Sequence, residues 1–443
     1  HRLTGADSLL LEAYTDPKSP TGATPPLENM ERVWTIAQRA NSAELWYVAA
    51  DNYMHNGLSL GYKDAMERAL KGFKMAEAID SSYVGGLEHQ PMLYLIFGDS
   101  AAARAANRRQ ARIDSTGDFY IVGNAQLQVA LAKASELPAI AHAIMGLPAN
   151  AAVDVAMMLQ SLSTIMQMSP GTAVVDSVLA SEHIRSALIP GTYEAGALKD
   201  VYLNAGRIAE STRNFPSDTT VLESARAMLN ALYWDADTAS AARAAARIGR
   251  WQKANRDTTG NIANNLPRLA FALWSVEHGD TASARGVLND FRAYRAPASN
   301  VSLGFTTTIY GKLLESRLAV TSHAANAKQL IDDANASVLA TPRLNRRDVR
   351  SLANLMIAGM YEEVGDAEAA LAASSRRDMQ LAMPVYASTF LRLQADAAEK
   401  LGDRETAVRA LRAYIELRAK ADASLQPDVQ AAKNRLKALE KKS

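Results

Sequence analysis

With cysteine absent, histidine is the remaining nitrogen or sulfur side chain in this chain of 443 residues that is best suited to a transition-metal ion, and the sequence has seven histidines. The absence of cysteine excludes disulfides, cysteine nucleophiles, iron–sulfur clusters and thiolate zinc sites. His55 and His89 could meet across neighbouring repeats, 34 residues apart, and hold a metal ion. However, we assign them no i,i+4 partner and no carboxylate at a ligand spacing. We therefore predict structural histidines, no metal site and no cofactor.

Aromatic residues are concentrated near the same histidines and could line a ligand groove, since they offer a large contact area with a polar end. The group consists of Trp34, Trp46, Tyr47, Tyr53, Tyr62, Tyr83, Tyr94 and Phe97. The alternative is packing between helices, which is the usual role of aromatic residues in repeat proteins and the interpretation that we favour. If a groove exists, we expect Trp46, Tyr47, Tyr53, His55 and His89 to contact the ligand.

The densest basic group is formed by Arg343, Arg346, Arg347 and Arg350, which fall on one side of a helix. Guanidinium groups bind planar anions through paired hydrogen bonds, so this group could bind an acidic peptide or a phosphate. A solvated helix face is the alternative, because most runs of charge are only solvated. Both interpretations stay open.

Catalytic motifs are missing from the sequence. It contains no Gly-x-Ser-x-Gly elbow, no phosphate-binding loop, no His-Glu-x-x-His and no dinucleotide fingerprint. We therefore predict that the protein is not an enzyme, although a helical enzyme with dispersed carboxylates stays a third hypothesis. The net charge of +1 gives no global field that would attract nucleic acid or an anionic membrane. A protein or peptide recognised locally is the expected partner.

The elements that would position these side chains are repeated helix pairs. Asp80-Ser81-Ser82 and Asp114-Ser115-Thr116 end two helical segments 34 residues apart, which is the tetratricopeptide (TPR) period. Between these two motifs, residues 83–97 and 100–113 are predicted as two helices, separated by Gly98-Asp99. A turn at Asn56-Gly57, with a second glycine at Gly61, is predicted to separate an earlier pair, 43–52 and 64–79.

A glycine followed by aspartate recurs at helix ends. Glycine readily adopts the left-handed conformation that ends a helix, and the aspartate can accept the free amides of the next helix. We predict a tight antiparallel turn at each of four such pairs: Gly98-Asp99, Gly279-Asp280, Gly365-Asp366 and Gly402-Asp403.

The predicted fold is all-α, a TPR-like α-solenoid of antiparallel helix pairs over residues 28–443. Residues 1–27 are predicted as an extended N-terminal segment with a proline-rich linker, because prolines crowd residues 17–26. The repeat pattern is least regular at 120–270. The most apolar stretch, residues 151–168, carries Asp154 and two glutamines, so it is predicted to be a buried helix rather than a membrane span.

Two stretches of the sequence resemble a known class of repeat region. The residues that carry the resemblance are 44–57, 61–64 and 76–89, with a closing stretch at 414–427. They are similar to TPR regions attached to bacterial serine/threonine protein kinases and winged-helix regulators. The resemblance implies a sensor or docking part, often outside the cytoplasm, that lies beyond a kinase or DNA-binding domain. The chain has none of the kinase motifs, so no catalytic residue follows from the resemblance.

Two functional hypotheses follow from the sequence. The first is a non-catalytic protein–protein interaction module that serves as the sensor or docking part of a bacterial signalling protein. The second is a structural subunit that scaffolds a larger complex, which would contact a membrane only indirectly, through that complex or an upstream anchor. The resemblance and a first residue other than methionine favour a periplasmic location, with the cytoplasm as the alternative.

Overall fold

Helices form the secondary structure throughout the described part of the chain. The computed structural model describes residues 5–15, 24–165, 170–188, 193–215, 220–234, 238–254, 265–294, 301–341, 347–377 and 386–441. None of these ranges contains a β-strand, and no helix in them is both long enough and apolar enough to cross a bilayer. The predicted all-α fold of antiparallel helix pairs is confirmed.

The described residues form two compact units, one within 5–198 and the other within 199–377 and 386–441. The boundary lies inside the stretch 120–270, where the sequence predicts the least regular repeats. Two of the helices in this stretch, α12 (Glu182–Ala187) and α14 (Ile208–Asn214), have only 6 and 7 residues. The sequence-based division into a lead-in and one repeat region stays a prediction.

The first unit contains twelve described helices, α1 to α12, of which α12 is given above. Helix α13 (Tyr193–Asn204) begins in the first unit and ends in the second. The other eleven are α1 (Gly5–Tyr14), α2 (Pro26–Ala40), α3 (Ala43–Asn52), α4 (Ala65–Ile79), α5 (Val84–Glu88), α6 (Gln90–Ile96), α7 (Ser100–Ile113), α8 (Asp118–Leu131), α9 (Leu137–Met145), α10 (Ala149–Ile165) and α11 (Pro170–Leu179). Helix α3 pairs with α4, α6 with α7, and α10 with α11. The row α3, α5–α6, α8 and α10 forms one layer, because each member contacts the next.

Helix α1 corrects the prediction that residues 1–27 are wholly extended. Leu9 and Leu10 pack on the core that includes α2, and Ala13 is buried in it. Arg32 of α2 donates to the carbonyl oxygens of Glu12 and Thr15 at the end of α1, at 2.5 and 3.0 Å. An apolar side that can pack on a neighbouring helix thus makes this segment helical. Most of the proline-rich linker lies outside the described residues.

The second unit is also built of helix pairs. Its remaining helices are α15 (Val221–Trp234), α16 (Thr238–Ala254), α17 (Asn265–Glu277), α18 (Thr281–Ala293), α19 (Val301–Thr321), α20 (Ala327–Ala340), α21 (Arg347–Glu363), α22 (Ala367–Ser374), α23 (Ala387–Leu401), α24 (Arg404–Leu417) and α25 (Gln426–Glu440). The five pairs from α15–α16 to α23–α24 follow one another along the chain, and the first helix of each pair contacts the first helix of the next.

The row of first helices in the second unit closes on itself, because α23 also contacts α15. The ring of Tyr386, just before α23, packs against Trp234 at the end of α15, with ring centroids 4.5 Å apart. The Thr389 hydroxyl of α23 donates to the backbone oxygen of Tyr233. In an open solenoid each repeat contacts only its neighbours along the chain. This unit therefore adds a contact between its first and last helix pairs to the contacts between successive pairs.

The four predicted glycine–aspartate turns are confirmed. Gly98, Gly279, Gly365 and Gly402 have φ of 75°, 79°, 82° and 75°. Each following aspartate accepts a hydrogen bond from the backbone N–H three residues on, at 2.9–3.1 Å. The two aspartate turns 34 residues apart also match, since Asp80 and Asp114 each accept the amide two residues on at 2.9 Å.

Candidate functional site

The candidate site of the first unit is a histidine cluster, which we define as Asp51, His55 and His89. The Asp51 Oδ1 atom lies 3.1 Å from His55 Nε2 and 3.5 Å from His89 Nε2. The two imidazole rings meet edge to face, with centroids 5.3 Å apart. The structure thus brings together the two histidines that the sequence suggested could meet.

The Asp51 carboxylate corrects the prediction that these histidines have no i,i+4 partner. Asp51 is four residues before His55, and the helical backbone places residues at this spacing on one side. The signal was therefore present in the sequence. What the sequence did not show is that His89 reaches the same oxygen atom.

His55 is positioned by a π-helical turn, Tyr53–Gly57, that continues from α3. The chain then passes through a short 3₁₀ turn, Leu58–Leu60, and reverses at Gly61, where φ is 96°. Of the residues predicted to separate the two helices, Asn56 and Gly57 are still helical, and the reversal falls at the second glycine, Gly61. Glycine at 57 is required by close packing, because a Cβ there would lie 2.5 Å from the Cβ of Ala65.

His89 occupies a break between α5 and α6. The sequence predicts one helix over 83–97, but Pro91 has no N–H and its ring clashes with the preceding turn, so the helix is interrupted at His89. The fully buried Gln90 supports this junction by donating to Gly86 O and to Glu77 Oε2, at 2.5 and 3.1 Å. The break allows His89 to reach α3.

Burial and charge differ among the three side chains of the histidine cluster. The side chains of His55 and His89 are 13% and 10% exposed, while that of Asp51 is 34% exposed. Burial raises the pKa of Asp51, but hydrogen bonds and charge interactions with the two histidines lower it more, so the pKa ends below its usual value. The cluster therefore presents an ionised carboxylate between two imidazoles at the edge of the protein surface.

The aromatic residues around the cluster separate into core and surface residues. Trp46 and Tyr53 are 6% and 0% exposed, and both rings pack edge to face on Trp34. They have almost no surface for a ligand, so packing between helices is their role. Tyr47 is half-buried and packs against Tyr83, with ring centroids 5.9 Å apart.

Tyr53 also belongs to a polar network with Glu31, Tyr62 and Arg68. The Arg68 guanidinium donates to the Tyr53 hydroxyl and to Glu31 Oε1, at 2.7 and 2.8 Å, and Tyr62 donates to the same carboxylate at 2.9 Å. Burial raises the pKa of Glu31, but the hydrogen bonds from Tyr62 and Tyr53 and the charge of Arg68 lower it overall. The network fixes α2 against α4.

Of the four arginines predicted as a basic group, the structure describes the side chain of Arg350 alone. Arg343 and Arg346 lie outside the described residues, and the side chain of Arg347 is not described. Arg350 is only 6% exposed, so the solvated-face interpretation is wrong for this residue. Its burial also prevents the guanidinium from binding a peptide at the surface.

A charged network that no local sequence pattern predicts lies in the second unit. Arg317 of α19 pairs with Glu277 of α17 at 2.5 Å and with Glu363 of α21. Burial lowers the pKa of Arg317, but the two carboxylates raise it overall. The three residues are far apart in sequence, and their contacts link three successive first helices.

Comparisons with known proteins identify no family for this chain. No protein-family model matches it, and no curated protein matches it. Among solved structures, it is similar to the crystal structure of the P58(IPK) TPR domain, with 10% identity, 99% of each chain covered and a TM-score of 0.24. A TM-score this low transfers neither a site nor a helix arrangement, so the helix pairing described above rests on the contacts of this chain.

Proposed function

We propose that this protein is a non-catalytic protein–protein interaction module that binds a protein or peptide on the layer formed by α3, α5–α6, α8 and α10 in its first unit. The observation that carries the proposal is the surface formed by α3 and the α5–α6 junction, where half-buried Tyr47 packs against half-buried Tyr83. Tyr47 and His89 of the histidine cluster both pack against the ring of Phe73, at 5.9 and 5.3 Å between centroids. Tyrosine offers a large apolar contact area with a hydrogen-bonding end at a small entropic cost.

The packing of the two tyrosines supports a preformed surface. A Cβ on Gly85 would lie 2.9 Å from the Tyr83 ring and 3.1 Å from the Tyr47 ring, so the glycine lets both rings lie against the backbone of α5. Asp51 adds a negative charge at the same surface. Rigid side chains lose little entropy on binding, which favours the recognition of an extended or helical peptide.

The biological role that we propose is the sensor or docking part of a bacterial signalling protein. It is supported by the resemblance of residues 44–57, 61–64 and 76–89 to the TPR regions of bacterial kinases and regulators, and these stretches include the surface around Tyr47. A periplasmic location belongs to the same proposal.

The second candidate function is a scaffold subunit of a larger complex. It is favoured by the closed row of first helices in the second unit, because a closed row suits a rigid spacer.

The test is site-specific photo-crosslinking in the source cells. The photoreactive residue p-benzoylphenylalanine replaces Tyr83 in one variant and Arg104, which is exposed on α7, in the control. We expect a discrete adduct at residue 83, identified by mass spectrometry, and none at residue 104. Adducts at neither position, or the same adducts at both, would contradict binding at this surface. Mass spectrometry of the adducts also separates the two candidate functions. A single crosslinked protein is expected of a docking module, and several crosslinked proteins are expected of a scaffold subunit.

A further inference from the structure

The histidine cluster has the ligand types of a metal centre. We propose that Asp51, His55 and His89 bind a divalent transition-metal ion, zinc by preference, with water at the remaining position. The proposal goes beyond the protein–protein interaction and does not depend on it. It replaces the sequence-based expectation that the chain has no metal site, which rested on the apparent lack of a carboxylate ligand.

The distances within the cluster suit a tetrahedral ion. Zinc bonds to imidazole nitrogen and carboxylate oxygen are about 2.0–2.2 Å long, which places ligand atoms roughly 3.3–3.5 Å from each other in a tetrahedron. The Asp51 oxygen lies 3.1 and 3.5 Å from the two Nε2 atoms, and one donor atom from each of the three residues falls within 4.8 Å of the others. Small rotations of the side chains would accommodate the ion.

The donor set selects the class of metal. Two imidazoles with one carboxylate suit zinc and its transition-metal neighbours, whereas magnesium and calcium require oxygen ligands. The side chain of Asp51 is 34% exposed, which gives an ion and its water a route to the cluster. Three protein ligands with one open position is the arrangement of zinc sites that keep a water molecule.

His55 is held by a π-helical turn, Tyr53–Gly57, and such turns are uncommon and frequent at functional sites. The turn directs the Nε2 atom of His55 to the Asp51 carboxylate, and this nitrogen is the atom that would bind the ion.

A bound ion would connect neighbouring helix pairs. Asp51 and His55 belong to α3 and the turn that continues it, while His89 belongs to the next pair. The metal would therefore stabilise the first unit as well as complete the site. An ion that binds only the folded state raises the unfolding temperature in proportion to the logarithm of its concentration.

The experiment is an isothermal calorimetric titration of the full, untagged chain with zinc, after bound metal has been removed with EDTA and the EDTA has been removed. The variants are Asp51→Asn and His89→Asn, and the control is His142→Asn, which removes an exposed histidine on α9. We expect one equivalent of zinc to bind the wild-type chain and the control equally. Affinity should fall by about tenfold or more in each cluster variant, because loss of a ligand costs at least as much as loss of a supporting hydrogen bond.

A second measurement needs no variant and stays informative if a variant fails to fold. Zinc added to wild-type protein labelled with ¹⁵N-histidine should shift the imidazole resonances of His55 and His89 and leave that of His142 unchanged. Cobalt in place of zinc should give the intense visible bands of a four-coordinate ion. The proposal is overturned if the wild type shows no saturable zinc binding, if the cluster variants bind like the control, or if the shifts occur at other histidines. A failed photo-crosslink at Tyr83 would not affect this result.

Discussion

The guanidinium of Arg418 donates from Nε to the backbone oxygen of Asn204 across 3.1 Å, although 214 residues separate the two in sequence. Arg418 is 2% exposed and Asn204 is fully buried. The side-chain oxygen of Asn204 accepts two further hydrogen bonds, from Trp234 Nε1 at 3.1 Å and from the Ser388 backbone at 3.2 Å. Asn204 therefore joins the beginning of the second unit to its end.

Replacement of Arg418 should destabilise the second unit. We expect Arg418→Met to lower the free energy of unfolding by about 1–3 kcal/mol, because it removes the buried donors to Asn204 O and to Ser388 Oγ. Urea unfolding followed by circular dichroism measures the change. Arg412→Met is the matched control, since Arg412 is 62% exposed and pairs at the surface with Glu440. Equal effects of the two substitutions would contradict a structural role for the contact with Asn204.

Two glycines with left-handed backbone should differ in their tolerance of alanine. Gly206 and Gly402 have φ of 71° and 75°, so alanine at either position costs about 1 kcal/mol through backbone strain. At Gly206 a Cβ would also lie 2.8 Å from the Cβ of Ala421, whereas at Gly402 it would meet nothing within 4 Å. We expect Gly206→Ala to lower the unfolding temperature more than Gly402→Ala. Differential scanning calorimetry provides the comparison, and a reversed order would count against the packing at Gly206.

The carboxyl group of Asp200 should make stability depend on pH. Burial raises the pKa of Asp200 to about 7, with partial compensation by Arg226 and Lys199. In the unfolded chain the pKa is about 3.9, so the contribution of the neutral acid is present below pH 4 and is lost as pH rises to about 7. We expect Asp200→Asn to be more stable than the wild type at pH 8, by roughly 1–4 kcal/mol, and similar to it at pH 4.

Thermal unfolding of both proteins across this pH range tests the prediction for Asp200. Asp333→Asn, a substitution on the exposed side of α20, serves as the control and should follow the wild-type curve. A constant difference between Asp200→Asn and the wild type at all pH values would mean that this carboxyl does not titrate near pH 7 in the folded protein.

The aspartate that follows each glycine turn should act as a helix cap. Asp280 accepts the Ser283 amide at 3.0 Å, so Asp280→Ala should cost about 0.5–2 kcal/mol by leaving that amide without its partner. Asparagine can accept the same hydrogen bond, and Asp280→Asn should therefore retain most of the stability. Chemical unfolding of both variants provides the measurement. A loss of the same size for asparagine would assign the effect to charge and not to the cap.

Much of the local structure could be predicted from the sequence. The turns at Gly98, Gly279, Gly365 and Gly402 depend on residues within four positions of each other, and all four are confirmed. The helix break at His89 is also readable from the sequence, because Pro91 cannot continue a helix, although residues 83–97 are predicted above as one helix. Asp51 and His55 likewise form a local pair at helical spacing.

Longer-range relationships could not be predicted in the same way. The burial of Trp46, Tyr53 and Arg350 depends on which face of each helix a neighbouring pair covers. Several arrangements of helices satisfy the same apolar periodicity, so the pattern alone does not choose among them. A groove residue and a core residue therefore look alike in the sequence.

The amino-acid sequence by itself determined the all-helical class, the four glycine–aspartate turns and the pairing of successive helices, because these depend on hydrogen bonds and packing between residues close in the chain. The tertiary structure alone decided that His89 reaches Asp51 and that Arg418 reaches Asn204. Such contacts form only when packing of the intervening helices brings distant segments together, and no short-range pattern encodes the resulting distance.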